Sequence, residues 1–461
     1  MPWERRKLLV FKFLQLTRTL NPTVTKRYMD KIRFSTSSRR LVSANFEGGA
    51  ITSDAGVILL RELDKKLGVS RELAKALPDD RVAGRVDHKL DAMIRQRVFA
   101  LCCGYEDLND HQELRQDPAL QAAVGKAQQL AGDSTLSRWE NRADRKSCAA
   151  MSKVLVEQFI RSFRVPPKEL VLDFDATDDA VHGKQEGRFF HGYYDKYCFL
   201  PLYVFCGEQL LVAYLRPSNQ DQAKHSAAIL KLLTDRFRQE WPEVRILFRA
   251  DSGFCRDRTM TWCERRGVDY LIGVRRNPRL QRLVEPLTQA ARIRCESTGE
   301  KQRLFGELDY STRTSWSRSR RVLVKAEHSH RGSNPRFVVT TLDGDPQDLY
   351  DRIYCARGEA ENRIKEQQLD LFADRTSCSK WWANQFRLLL SSFAYLLLER
   401  MRNLVLQETS MARARCSTIR LRLLKIGAVV VRNTRQIVLN LPSAYPWKEL
   451  FALVSRRLAL L

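Results

Sequence analysis

"LVLDFDATDDAVHG", residues 170–183, sets four aspartates, Asp173, Asp175, Asp178 and Asp179, at the end of an apolar run in a chain of net charge +25. "ELVLDFD" reads as an apolar strand, so Asp173 and Asp175, two residues apart, share one face, with Asp175 nearer the tip. A second run, "ILFRAD", ends in the same way on Asp251. Strand tips suit metal-binding carboxylates, because the rigid backbone fixes the group while the tip stays open to substrate. A third acid is offered by "YCARGEAENRIKEQQ", where Tyr354, Arg357 and Glu361 are spaced three and four apart and form one helical stripe. Such a stripe is by itself ordinarily a solvated face. Its position after the last strand of an α/β sheet is what gives it interest.

The strands fall into an order. "ELVLDFD", "YCFLPLYVFC" and "QLLVAYLR" make an antiparallel meander, the last two joined through Gly207-Glu208. A helix over 218–240 follows, then strand "VRILFRA", a helix around "DRTMTWCERRG" and strand "VDYLIGV". The order βββαβαβ predicts an α/β sheet with its ligand site at strand ends. Residues 281–345 carry shorter strand-like pieces and read as a β-rich insertion, basic through Arg313, Arg318, Arg320, Arg321 and Lys325. The sheet domain is expected over 166–280 and 346–407, with a long helical region from Tyr350 to Gln407. Residues 408–461 predict a basic β-hairpin around Asn433 and a closing helix. Upstream, 41–165 reads as a mainly helical DNA-binding domain bounded by Pro166-Pro167. Its stretch "DSTLSRWENR" has Asp133 or Ser134 as helix cap and exposes Arg138, Arg142 and Arg145, the alternative being an ordinary helical subdomain with a charged face. Residues 1–40 hold eleven Lys and Arg against Glu4 and Asp30, as a DNA-contacting arm or an extension.

Composition narrows the partners. The chain has 461 residues and 44% hydrophobic content, enough for several domains and a sizeable core. With 79 Lys+Arg against 54 Asp+Glu, an extended polyanion is the natural partner, since each phosphate contact releases counterions. The eleven cysteines show no zinc-type spacing and are expected to be reduced thiols in a cytoplasmic protein. The N-terminal "MPWERRKLLVFKFLQL" lacks a cleavage site and does not read as a signal peptide. "LLLSSFAYLLL" is the longest uncharged apolar run and falls short of the ~20 residues that span a bilayer, so no membrane partner is expected.

The motifs also carry a resemblance. "TDDAVHGKQEGRFFHGYYDKYCFLPLYVFCGEQLLVAYLRPSNQD", "RADSGFCRD" and "ARGEAENRIKE" resemble the family called transposase DDE domain group 1, from "ANFEGGAITSDAG" to "LRLLKIGA". The strand order, aspartates and Y-x2-R-x3-E helix look like the ribonuclease H-like core of cut-and-paste insertion-sequence transposases. The resemblance implies a catalytic and metal-binding triad of Asp175, in a D-x-T motif, Asp251 and Glu361, with Asp173 as the second choice for the first acid. It implies two Mg2+ ions, with Mn2+ able to substitute, which would activate water and stabilise the leaving oxygen of a phosphodiester. Water would free a 3'-hydroxyl at the transposon end, and that hydroxyl would attack target DNA. Tyr354 and Arg357 would contact DNA near the end. The wider signature of such transposases places a lysine seven residues after the glutamate, where this chain has Gln368; Lys365 is the candidate to serve instead.

The implied partners are terminal inverted repeats and target DNA, held by a homodimer in a bacterial, nucleoid-associated setting. Trp316 could stack on an extruded base, or be a core residue. His328 and His330 lack metal-spaced partners and read as loop. His182 and His191 read as structural or DNA-contacting. Two other classes remain open: a DNA-binding descendant that has lost cleavage, and a metal-dependent nuclease that cleaves without joining.

Overall fold

A computed structural model of the protein describes residues 32–37 and 40–461; most of the basic 1–40 stretch lies outside the described residues. β1 (Ile32–Ser37) and β2 (Arg40–Ala44) form a hairpin, and β3 (Ile51–Thr52) leads into helices Val57–Leu67, Val69–Ala76, Leu90–Cys103, Asp133–Glu140 and Arg145–Ile160. Neither Asp133 nor Ser134 caps its helix. Gly132 holds the cap position, and the Asp133 carboxylate accepts from the Ser134 N–H inside the first turn. That helix stops at Glu140, so exposed Arg138 lies on it while Arg142 and Arg145 fall in the following turn and at the start of the next helix.

Strand β4 (Glu169–Ala176) contains the aspartate run. Beyond its tip a small sheet forms from β5 (Asp179–Ala180), β6 (Phe189–His191) and β7 (Lys196–Phe199), in the order β5-β7-β6. The expected single strand "YCFLPLYVFC" is therefore two, β7 and β8 (Leu202–Cys206). Pro201 has no N–H to give a ladder, and the chain changes sheet there. β8 and β9 (Gln209–Tyr214) turn through Gly207, and then β10 (Arg245–Ala250) and β11 (Asp269–Val274) follow. β4, β10 and β11 are parallel, β8 and β9 antiparallel, and the order is β9-β8-β4-β10-β11. β12 (Gln302–Tyr310), β13 (Arg320–Ser329) and β15 (Arg336–Thr340) continue the same sheet beyond β11, with β14 (Gly332–Ser333) against β13. Helices Pro278–Leu283 and Glu285–Thr298 precede them, in a segment expected to be strand-rich from its start. His328 lies in β13 rather than in a loop, bonded to Ser333 Oγ at 2.7 Å.

The helix expected over 218–240 begins at Ser226. The preceding residues form a loop because the buried Arg216 guanidinium binds the carbonyls of Gln222 and Lys224, each at 2.8 Å. Alternation along the strands sorts the two sheet faces. Leu170, Leu172 and Phe174 of β4, with Ile246, Phe248 and Ala250 of β10, pack against Leu230, Leu233 and Phe237 of that helix. Phe174 and Phe248 meet edge-on at 4.9 Å. The opposite face takes Val171 and Leu247, covered by Leu349, Tyr350 and Ile353. Residues 349–370 are helical but unevenly wound, with π-type turns at Leu349–Tyr354 and Glu366–Asp370 around the α-helical Gly358–Lys365. Helix Trp381–Val405 shares a core with the N-terminal helices and with Tyr203 and Phe205 of β8. β16 (Ala428–Arg432) and β17 (Ile437–Asn440) form a hairpin that joins β3, and helix Lys448–Leu460 closes the chain. Among the described residues no helix is long and apolar enough to cross a membrane, and all eleven cysteines are free.

Buried charge ties the N-terminal helices to helix Trp381–Val405. Glu140, wholly buried, accepts from Arg97 Nε at 2.8 Å and Arg387 Nε at 2.7 Å, and Arg97 also meets His111 Nε2 at 3.1 Å. Removing one partner of such a network leaves uncompensated charge in a dry interior. Glu140→Ala is expected to lower stability by about 3–5 kcal/mol in urea unfolding, and an unchanged midpoint would show that the network carries no weight.

Candidate active site

The site begins with a strand register. β4 and β10 pair in parallel with Asp173 beside Arg249 and Phe174 beside Ala250, so the next step along brings Asp251 beside Asp175. The two inward aspartates of β4 then have different fates. Asp173 is buried and accepts two bonds from the Arg249 guanidinium, at 2.5 and 2.7 Å. Burial raises its pKa, and Arg249 opposes the rise. Arg249 also donates to the carbonyl of Ile353, binding the helical segment to the strand pair. Asp173 is thus spoken for by a cation of the fold itself.

Asp175, at the tip, is 9% exposed. Its Oδ1 accepts from the Ala176 N–H at 2.9 Å and its Oδ2 from Arg357 Nη1 at 3.0 Å. The other terminal nitrogen of Arg357 donates to Glu361 Oε1 at 2.8 Å. One guanidinium therefore bridges two of the three predicted acids. Burial pushes Asp175 up to about 6; Arg357 resists this, and the charges of Asp251 and Glu361 add to it. That influence marks the three carboxylates as electrostatic neighbours.

Asp251 is fixed from two sides. Its Oδ1 accepts from the Gly253 N–H at 2.8 Å, and Gln222 Nε2 approaches Oδ2 at 3.3 Å. Two glycines make room here. A Cβ on Gly253 would lie 2.0 Å from Gln222 Oε1, and one on Gly273 of β11 would lie 2.6 Å from the Tyr354 hydroxyl and 2.9 Å from the Ser252 nitrogen. Gly273 thus lets Tyr354 reach the strand tip that carries Asp251. Burial raises the Tyr354 phenol, Arg357 opposing and Asp251 adding to the rise. Arg249, Gln222 and Gly273 were not singled out in the sequence. Arg249 had a signal, a charged residue in phase with Asp251 within a buried strand; the others gain meaning only from their neighbours.

The remaining predicted residues are placed differently. Lys365 is exposed and makes no ion pair among the described residues, while Gln368 Nε2 donates to the Asp178 carbonyl at 3.0 Å. The Gln368 amide therefore props the turn beyond Asp175. Asp178 pairs with Lys196 at 2.5 Å. Trp316 is half-buried, edge-on to Tyr310 at 5.5 Å and 5.5 Å from the Arg320 guanidinium, so it has the contacts of a packing residue. His182 is exposed, and His191 packs on Tyr194 at 4.9 Å.

The donor chemistry fits hard divalent cations, three carboxylates around one point of positive charge. The present spacing does not yet form a ligand set: among the described residues no three His, Cys, Asp or Glu side chains are gathered to hold a metal ion. Arg357 is the cation that stands between Asp175 and Glu361.

Acids converging at the tips of parallel strands, with an arginine and a tyrosine brought in from a following helix, define a candidate site for metal-assisted phosphodiester chemistry. Residues 34–461 match the family model described as transposase DDE domain group 1, and the chain belongs to that family. No curated protein matches the chain at a significant level. Among solved structures, the chain is similar to the piggyBac transposase in its synaptic complex with hairpin DNA, solved by cryo-EM, at 10% identity and a TM-score of 0.36, covering 81% of this chain and 86% of that one.

Asp179 provides a test of the electrostatics just past the site. It is 1% exposed, accepts from Thr376 Oγ1 at 2.9 Å, and leaves its other oxygen without a partner among the described residues. Burial raises its pKa well above the ordinary value, so its contribution to stability is complete below about pH 4 and is lost as pH rises through the folded-state pKa. Asp179→Asn is expected to be more stable than the wild type at pH 7 and to lose that advantage at pH 4 in urea unfolding. An advantage independent of pH would contradict the burial argument.

Proposed function

We propose that the protein is a DNA transposase that moves an insertion sequence by cut-and-paste, with Asp175, Asp251 and Glu361 as its metal-binding acids. The observation that carries this reading is the parallel register that ends on Phe174 beside Ala250, one step before Asp175 and Asp251, together with the Arg357 bridge from Asp175 to Glu361. Strand order β9-β8-β4-β10-β11, with the last three parallel, supports a ribonuclease H-like core, and β12, β13 and β15 would be the β-rich insertion between its last strand and the Glu361 helix. The N-terminal helices, with exposed Arg138, Arg142 and Arg145, would add DNA contacts, and the C-terminal hairpin and helix would form a further unit.

Two Mg2+ ions, or Mn2+, held by the three acids would activate water and neutralise the leaving oxygen at a transposon end. The residues of the chain would do the rest. The backbone N–H groups of Ala176 and Gly253 fix the Asp175 and Asp251 carboxylates before substrate arrives. Arg357 would exchange its carboxylate partners for a DNA phosphate, a change favoured by the bidentate match of guanidinium to phosphate. Tyr354, seated over Gly273, would approach the same strand, and Lys365, exposed on the helix, would take a further phosphate. Asp173 would act through Arg249, keeping β4, β10 and residue 353 in place. Two transposon ends imply at least a homodimer in the assembled complex. The expected setting is the bacterial nucleoid.

Labelled candidate transposon ends and Mg2+ test the reading. Asp251→Ala is expected to lower strand cleavage by at least about 100-fold, the upper range for losing even an outer partner of a metal ligand, while binding of the ends persists. Unchanged cleavage would sink the assignment. Joining of pre-cut ends to a target separates the transposase from a nuclease that only cuts. Millimolar Mg2+ or Mn2+ is further expected to raise the thermal unfolding temperature of the wild type but not of Asp175→Asn, whereas Asp173→Asn should keep the metal response. The reverse pattern would make Asp173 the ligand.

A further inference from the structure

The small sheet beyond the tip of β4 is buried at one end of β7 and open to solvent at the other. Cys198 and Phe199 of β7 are wholly buried, with Phe199 edge-on to Trp381 at 5.4 Å, and anchor the sheet to the core. Solvent meets Phe190 and Tyr197, which are register partners on β6 and β7, touch edge-on at 5.6 Å, and are 53% and 48% exposed. The Arg188 guanidinium lies 4.8 Å from the centre of the Tyr197 ring. At the tip Tyr193 is 85% exposed and edge-on to Tyr194 at 5.0 Å. Three aromatic rings held in water beside a cation oppose the usual drive to bury such surface.

Position gives this open end its meaning. The four peptide links from Asp175 to Asp179 span at most about 14 Å of chain, and the Asp178–Lys196 pair ties that turn to the hairpin. A strand of DNA with a phosphodiester at Asp175 would have the hairpin within reach, and the charge of Asp175 is felt at Tyr194 of its tip. Bases offer flat π faces that stack on exposed aromatic side chains and on arginine, whatever the sequence. Lys184 and Arg188 lie on the same segment, in a chain of net charge +25, and complement a phosphate backbone. Trp316, which the sequence offered as either a stacking or a core residue, already has Tyr310 against it.

We propose that the 188–197 hairpin is a stacking platform for unpaired bases of the DNA strand next to the cleavage site, with Phe190, Tyr193 and Tyr197 as the rings that receive them. This rests on the transposase reading above. It adds the element that holds the strand once its bases leave the duplex.

The test uses the full chain in EDTA, so that no cutting occurs, with a fluorescein-labelled mixed-sequence 20-nucleotide single strand carrying 5-iodouracil and the corresponding blunt duplex. Photocrosslinks of the single strand are expected to map to residues 188–197. The double variant Phe190→Ala/Tyr197→Ala should bind the single strand about tenfold or more weakly, with duplex binding changed by less than about twofold. Tyr193→Ser, at the exposed tip where folding is untouched, should weaken only single-strand binding, and Tyr197→Phe should restore wild-type affinity. Equal loss on both probes, no loss, or crosslinks elsewhere would overturn the platform while leaving the transposase reading intact. A wild type that binds neither probe would overturn both.

Discussion

The register between β4 and β10 is the constraint on which the rest depends. Because side chains alternate along both strands, placing Asp173 beside Arg249 also places apolar Leu172 and Phe174 toward one core and brings Asp175 and Asp251 together at the tips. A slip of one residue would turn every one of these groups to the wrong face. The paired charges of Asp173 and Arg249 oppose such a slip, since an unpaired carboxylate in that interior would cost several kcal/mol. Arg249 extends the constraint to a third element through the Ile353 carbonyl, one residue before Tyr354.

Charge at the site is arranged in depth. Deep in the sheet, Asp173 is matched by Arg249; at the tip, Asp175 is matched by Arg357, an arginine 16% exposed that it shares with Glu361. The inner pair is closed by geometry, with both Asp173 oxygens bonded to the one guanidinium of Arg249, whereas Arg357 takes only one oxygen of Asp175. The outer pair is open, and its arginine belongs to a helical stretch with π-type winding on both sides of the acid-bearing turns. Irregular winding of this kind recurs at functional sites, because it leaves backbone and side chains free to take positions a uniform helix does not offer. The same contrast separates Asp173, matched by a cation within the fold, from Asp175, whose cation is shared with Glu361.

Beyond the acids, the surroundings are set by small and neutral groups. Gly253 and Gly273 admit Gln222 and Tyr354 to the Asp251 tip, and Gln368 holds the turn leading to β5. Gln368 is neutral and donates to a backbone carbonyl, so the loop beyond Asp175 is braced from the helical stretch that follows Glu361.

Much of the architecture was legible because it is written in local pattern. Period-two apolar runs marked β4, β8, β9, β10 and β11, and the three-and-four spacing marked the Tyr354, Arg357 and Glu361 helix. Local pattern misled where a distant partner intervened: Arg216 unwound residues 218–225, and Pro201 split one expected strand between two sheets. It was silent on the choice between Asp173 and Asp175, since both lie on one face of one strand. By itself the sequence determined the strand order, the candidate acids and the family resemblance, all of which depend on residue type and short spacing. Only the tertiary structure decided which aspartate Arg249 neutralises, that Arg357 stands between Asp175 and Glu361, and that the exposed rings belong to the 188–197 hairpin rather than to Trp316. Those depend on contacts between residues tens to hundreds of positions apart, which no local periodicity encodes.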